Sequence, residues 1–178
     1  RIFREKGGEI RTGAELTAIA RKGGELTAET GAGDFQGQFL INCAGLHADR
    51  VACFAGGKTG LRIIPFRGEY YELRPERRSL VRGLIYPVPD PAFPFLGVHF
   101  TRRIGGAVEA GPNAVLAFRR EGYRFAEADP RDLWDTLSHP GFWRMARRYW
   151  KTGLSEMRRS LSKGAFTAAL QKLLPAVQ

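Results

Sequence analysis

Asp129–Pro130 divides the chain into two kinds of pattern, and that division limits the fold more than any other feature. Before it, short apolar runs rich in Ile, Val, Phe and Tyr are separated by Gly pairs and prolines. After it, apolar residues recur at helical spacing: Trp134 and Leu137, then Phe142, Ala146 and Tyr149. Asp followed by Pro suits a helix N-cap and first helical position, because the carboxylate can accept from free N–H groups and Pro has no N–H to lose. Strands first and helices after them predict an α+β arrangement.

Within the first part, 9–12 and 14–20 read as a strand pair or one long strand, with a turn at Gly23–Gly24. The segment 24–30, the turn GAGD at 31–34 and FQGQFLINCAG form a second hairpin-like pair. Its continuous run Phe39–Leu40–Ile41 predicts a strand buried on both faces. Residues 48–55 predict a short helix closed by Gly56–Gly57. A long β segment follows at 61–74, a short one at 84–88 trimmed by Pro87 and Pro89, and a hairpin over 95–103 and 107–111 around Gly105–Gly106. An antiparallel sheet is therefore expected over 61–118 and a helical cluster over 129–175, with one helix closing near Gly153 and two more separated by Gly164.

Composition narrows the class. With 178 residues and 43% hydrophobic content a packed core is expected. No apolar run approaches the ~18 residues of a membrane span, and RIFREKGGEIR lacks the apolar stretch of a signal peptide. The start at Arg1 and the end at Gln178 read as an internal stretch of a longer protein. Cys43 and Cys53 are too few for a disulfide framework and lack metal-ligand spacing; their apolar neighbours predict buried thiols in a reducing, cytoplasmic setting.

The net charge of +10 calls for an acidic partner: nucleic acid, an anionic membrane surface or an acidic small molecule. Seven Lys and Arg against Glu156 alone lie in 139–163, either as a solvated helical face or as a surface resting on anionic lipid, peripheral to the inner face of a membrane. No nucleic-acid motif accompanies the charge, so nucleic acid is not the expected partner. The aromatic residues of the helices, Trp134, Phe142, Trp143, Tyr149 and Trp150, are expected to pack.

Arg67 and His99 interrupt apolar strands, where an unpartnered charge is costly. Arg67 stands beside Gly68; its guanidinium can either pair with Glu69 or Glu72 or grip a carboxylate in bidentate fashion. Strand alternation puts His99 on one face with Thr101 and Arg103, opposite Val98 and Phe100. His99 is then a structural histidine or a general base near neutral pH. Tyr86 and Asn113 offer hydrogen bonds to a pocket, or a core ring with a wet tip and a turn residue. The Asn42–Gly45 turn between a strand and a helix allows close approach of a phosphate, or merely connects the two. G-x-G-x-x-G, P-loop, G-x-S-x-G and H-E-x-x-H patterns are absent, and no metal site is expected.

Four strings in this order carry a resemblance: FLINCAGLHADRVA, LRIIPFRGEYYEL, LIYPVPDPAFPFLGVHFT and GPNAVLAFRREGY. With them the chain resembles the L-2-hydroxyglutarate oxidase and dehydrogenase family, among the FAD-dependent D-amino-acid-oxidase-like oxidoreductases. The resemblance implies that 1–60 is part of a Rossmann-type FAD domain, with Cys43, Ala44 and Gly45 near the cofactor. It implies that 61–178 is a substrate domain whose sheet roofs the flavin. The implied reaction oxidises a small dicarboxylate, L-2-hydroxyglutarate, to 2-oxoglutarate in the whole protein, this stretch alone being inactive. His99 is then the base or the hydrogen-bond partner of the alcohol. Arg67 and Arg103 are the expected carboxylate partners, with Tyr86 and Asn113 also at the substrate. A relative acting on an amino acid or another small acid is the alternative.

Overall fold

A computed structural model describes residues 1–57, 59–89, 91 and 96–178. Asp90 and 92–95 of the LIYPVPDPAFPFLGVHFT string, and with them the expected strand start at 95, lie outside the described residues. Helices and antiparallel sheets are mixed, as an α+β chain requires, and the chain divides into two compact units, Arg1–Ile63 and Ile64–Gln178.

In the first unit a short helix, α1 (Ile2–Glu5), precedes an antiparallel sheet of order β1 (Leu16–Lys22), β2 (Glu25–Thr30), β3 (Phe35–Gly37). Gly23 and Gly24 have φ of 60° and 90°, the two positive values a tight two-residue hairpin needs, and Lys22 pairs with Glu25 across them. Helix α2 (Ala48–Phe54) follows a 3-10 turn at Gly45–His47. Asp49 at its start is buried and accepts from Arg50 N at 2.9 Å and Ile63 N at 3.1 Å, so one carboxylate ties the helix to the end of the unit.

Three expectations fail in this unit. No strand forms over 9–15: apart from Gly31 N donating to Glu15 O at 3.4 Å, this charged segment before Leu16 has no strand partner among the described residues. The run Phe39–Leu40–Ile41 is not a doubly buried strand: β3 stops at Gly37, and Phe39 and Ile41 are 88% and 86% exposed. A buried strand needs neighbours on both edges, and the three-stranded sheet ends before this segment. Cys43 and Cys53 are exposed rather than buried: among the described residues no strand or helix covers them, although Val51 and Ala52 of α2 are half-buried.

The second unit holds a four-stranded antiparallel sheet in the order β4 (Phe66–Glu72), β7 (Val108–Leu116), β6 (His99–Arg102), β5 (Leu84–Ile85). The long β segment begins at Phe66, and 61–65 stay outside it. Gly106, at φ 85°, closes the β6–β7 hairpin, with Arg103 N donating to Ala107 O at 2.8 Å. Near the middle of β7 the register slips: Glu69 faces Asn113 but Tyr71 faces Ala110, which leaves an extra residue on β7. Gly111 stands there at φ 149°, and a Cβ would come within 2.7 Å of Glu69 O, so only glycine fits.

Helix α3 (Pro130–Leu137) starts as expected: Asp129 Oδ1 accepts from Arg131 N at 2.9 Å and Asp132 N at 3.0 Å. Buried Arg120 holds this helix to the end of the sheet, its N donating to Asp132 Oδ2 at 2.8 Å. Helix α4 (Pro140–Leu161) does not stop at Gly153; it runs 22 residues and kinks at Tyr149, where φ and ψ are −115° and 20°. An interior glycine costs a helix only about 1 kcal/mol, too little to end one that packs along its length. The break before α5 (Lys163–Gln171) falls at Ser162, whose Oγ accepts from Ala165 N at 3.3 Å, not at Gly164.

The core joins Val81, Phe100, Val108 and Ala110 to Phe166 and Leu170 of α5 and to Val177. Tyr71 stacks obliquely on Phe166 with ring centroids 4.8 Å apart. Phe142, Ala146 and Tyr149 of α4 do turn inward, lining an apolar groove with Phe66 and Leu116. The expectation that the tryptophans pack fails: Trp134, Trp143 and Trp150 are 72%, 53% and 59% exposed, and Leu137 beside them is exposed too. Among the described residues no helix is long and apolar enough to cross a membrane.

Candidate functional site

The two faces of the second sheet separate the candidate residues. Phe100, Ala110 and Tyr71 form one row across β6, β7 and β4, packed under α5. Alternation then turns His99 and Thr101 to the other face, where they pair with Gly111 and Glu109. Tyr86 joins them there. Its ring lies 4.2 Å from the His99 ring at an interplanar angle of 22°, and its hydroxyl is 3.4 Å from Thr101 Oγ1. Arg103 extends the same face and makes an exposed 2.7 Å ion pair with Glu109.

His99 Nδ1 lies 3.0 Å from Gly97 O. A carbonyl oxygen can only accept, so the proton of a neutral His99 ring sits on Nδ1. Nε2 then carries the lone pair, and the stacked Tyr86 ring fixes its direction. A half-buried imidazole with a fixed tautomer is equipped to accept a proton.

Arg67 and Asn113 project from the face that carries the helices, and the structure does not bring them together with His99. Arg67 is 8% exposed, donates to Glu69 Oε1 through Nη2 at 2.7 Å, and lies with its guanidinium carbon 5.5 Å from the centre of the Phe125 ring. Asn113, fully buried, donates to Glu156 O at 2.8 Å and accepts from Arg159 Nε at 3.0 Å. Beyond Gly111, β6 no longer pairs with β7, and α4 takes its place: Glu156 Oε2 accepts from Ala114 N at 3.0 Å, and Arg159 Nη2 donates to Glu156 Oε1. Burial pushes the Glu156 carboxyl above its ordinary value, against the Ala114 N–H and Arg159, which lower it. Burial acts on Glu69 in the same direction, but hydrogen bonds from Ser160, Arg67 and Asn113 outweigh it and hold its carboxyl below the ordinary value. Glu156 and Arg159 escaped the sequence reading because they looked like members of a solvated helical face. Their one local signal is that Glu156 is the single acid in a basic run.

Cys43, Ala44 and Gly45 lie in the first unit. Asn42 shapes their turn, accepting from Ala44 N at 3.1 Å and donating to Ala48 O at 2.8 Å. At Gly45, φ is 53° and a Cβ would meet nothing within 4 Å, so another molecule can approach this backbone closely. The turn fits the edge of a cofactor approached through main-chain atoms. It carries no cationic or hydroxyl side chain for a pyrophosphate. Among the described residues no group of three His, Cys, Asp or Glu could hold a metal ion.

Comparison with known proteins gives this geometry its context. The chain is 51% identical over 177 residues to L-2-hydroxyglutarate dehydrogenase of Indibacter alkaliphilus, covering 99% of this chain and 44% of that protein. It is 44% identical to L-2-hydroxyglutarate dehydrogenase of Escherichia coli K12, covering 98% of this chain and 42% of the relative. It is 42% identical to mitochondrial L-2-hydroxyglutarate dehydrogenase of Caenorhabditis elegans, covering 99% and 42%. The chain thus spans less than half the length of the curated relatives it matches. The family model described as DAO, FAD dependent oxidoreductase, matches residues 1–173, and the chain belongs to this family of FAD-dependent oxidoreductases.

Proposed function

We propose that the chain is part of an FAD-dependent enzyme that oxidises L-2-hydroxyglutarate to 2-oxoglutarate. The observation that carries this reading is the His99–Tyr86–Thr101 cluster on the sheet face left open by the helices, in a chain whose relatives are named L-2-hydroxyglutarate dehydrogenases. The unit from Ile64 onward is the substrate domain in this reading, and the unit before it is a segment of the Rossmann-type FAD domain, with Cys43–Gly45 against the cofactor.

In the whole protein His99 Nε2 takes the proton of the C2 hydroxyl while the C2–H bond breaks and its electron pair leaves as hydride. The C2–O bond becomes the carbonyl of 2-oxoglutarate. When bound, FAD supplies the two-electron acceptor for that hydride. Arg103 is the carboxylate partner on this face. Its pair with Glu109 is exposed, and such pairs hold by only about 0–1 kcal/mol, so a substrate carboxylate can take the guanidinium over. Tyr86 orients the imidazole and adds a hydroxyl beside Thr101. Arg67 and Asn113 act on the substrate through position, by keeping β4 and β7 seated on α4. The +10 charge favours an acidic substrate and supports peripheral contact with an anionic membrane.

The test is flavin bleaching in the whole protein loaded with FAD and mixed without oxygen. L-2-Hydroxyglutarate is expected to reduce the flavin at least ~10-fold faster than the D enantiomer, because only one enantiomer presents both its hydroxyl and its C2–H correctly. Faster reduction by an amino acid or another small acid would replace the substrate assignment.

A further inference from the structure

We propose that the cavity between β4 and α5 is a binding site for a small carboxylic acid with an apolar body, its carboxylate held by Arg74 and Lys163 at the mouth. The cavity encloses about 330 Å³, at the lower end of the range for small-molecule sites. Its floor is core: Ala110, Phe166, Leu170 and Val177 line it, and all four are buried. Tyr71, with its ring centroid 4.8 Å from that of Phe166, makes an aromatic wall against which a flat apolar group can lie. The wall formed by Val177 and Gln178 is tied in place. Gln171 Nε2 donates to Val177 O at 2.8 Å, and Arg77 Nη2 donates to Gln178 Oε1 at 3.3 Å.

The mouth is cationic. Arg74, Arg77 and Lys163 line the cavity and are exposed. Arg77 is engaged with Gln178, but the side chains of Arg74 and Lys163 make no hydrogen bond or ion pair with any described residue. The one acid of the lining, Glu72, accepts from Arg78 Nη2 at 2.5 Å, so its charge is answered from outside the cavity. Two cations without protein partners beside a buried apolar floor form an arrangement that an amphipathic anion completes. Its carboxylate gains charged donors at the mouth, and its apolar body leaves water for the floor.

The floor selects among anions. Tyr71 and Thr167 contribute the only hydroxyls of the lining, and the floor itself presents no polar side chain. A nucleobase or sugar seated there would give up hydrogen bonds to water without replacing them. Inorganic phosphate would meet the cations but leave the floor empty. The substrate proposed above, a hydroxy-dicarboxylate, has no apolar body for it either. The cavity lies on the helix side of the sheet, the side of Ala110 and Tyr71, whereas His99 and Thr101 face the other side. An occupant therefore meets none of the groups assigned to the oxidation.

The proposal does not depend on the substrate assignment and is tested by binding alone. The whole, FAD-loaded protein is dialysed to equilibrium against 4-phenylbutyrate. Saturable binding is expected, at least ~10-fold tighter than that of 4-phenyl-1-butanol, which lacks the charge, or of acetate, which lacks the apolar body. Arg74→Gln/Lys163→Gln changes only exposed side chains and is expected to weaken binding of the acid at least ~10-fold. Arg144→Gln/Arg147→Gln removes the same charge from exposed positions outside the cavity and is expected to leave binding unchanged. Far-UV circular dichroism confirms that both variants are folded. An excess of 2-oxoglutarate is expected not to displace 4-phenylbutyrate. Absence of saturable binding, equal binding of the acid and the alcohol, or the same result in both double variants would overturn the proposal. Displacement by 2-oxoglutarate would also overturn it, by placing the acid on the His99 face.

Discussion

Arg159 Nε donates to Asn113 Oδ1 at 3.0 Å, and this bond fixes the Asn113 amide so that its Nδ2 faces the Glu156 carbonyl at 2.8 Å. The two residues are 46 positions apart, yet the amide is the point where the central strand of the sheet meets α4. Asn113→Ala is expected to leave the Glu156 carbonyl and the Arg159 guanidinium without this partner in a buried setting. The cost is about 2–4 kcal/mol, read as a lower midpoint in urea unfolding with an unchanged slope.

The two carboxylates around that amide give stability opposite pH dependences. Glu69 has a lowered pKa in the folded protein, so its contribution is present above its ordinary value of 4.5 and is lost as pH falls through the lowered one. Glu156 has a raised pKa, so its ionisation opposes folding increasingly as pH rises through and beyond 4.5. Thermal melts between pH 3 and 7 check both signs. Relative to the parent, Glu69→Gln is expected to lose less stability on acidification, and Glu156→Gln to lose more.

His99→Gln in the whole, FAD-loaded protein is expected to slow flavin reduction by L-2-hydroxyglutarate ~100-fold or more while changing substrate affinity only a few fold. A rate within about twofold of the parent would remove His99 from the role of base.

Asp129→Ala removes the acceptor for Arg131 N and Asp132 N at the start of α3. About 1 kcal/mol of stability is expected to go with it, measurable by chemical unfolding. Asp129→Asn should recover most of the loss, because the amide oxygen can make the same bonds.

Local chemistry in the sequence determined what needs only a few neighbouring residues. Gly23–Gly24 and Gly106 set two hairpins because glycine reaches the positive φ that tight turns need. Asp129–Pro130 set a helix start because its cap bonds span three residues. The alternation around Phe100 separated His99, Thr101 and Arg103 from the core, and the resemblance pointed to the family that the comparison shows. Tertiary structure decided everything that depends on distant partners. Phe39, Ile41, Cys43 and Cys53 lie exposed because none of the described strands or helices covers them, although their apolar surroundings resemble a core. Gly153 stays inside α4 because packing along that helix outweighs its local cost. Arg67 pairs with Glu69 two residues away, but whether it faced a ligand or the fold depended on α4 closing over Asn113 from 43 positions downstream. The exposed tryptophans were invisible for the same reason: periodicity shows which residues share a side of a helix, and only packing decides which side the sheet takes.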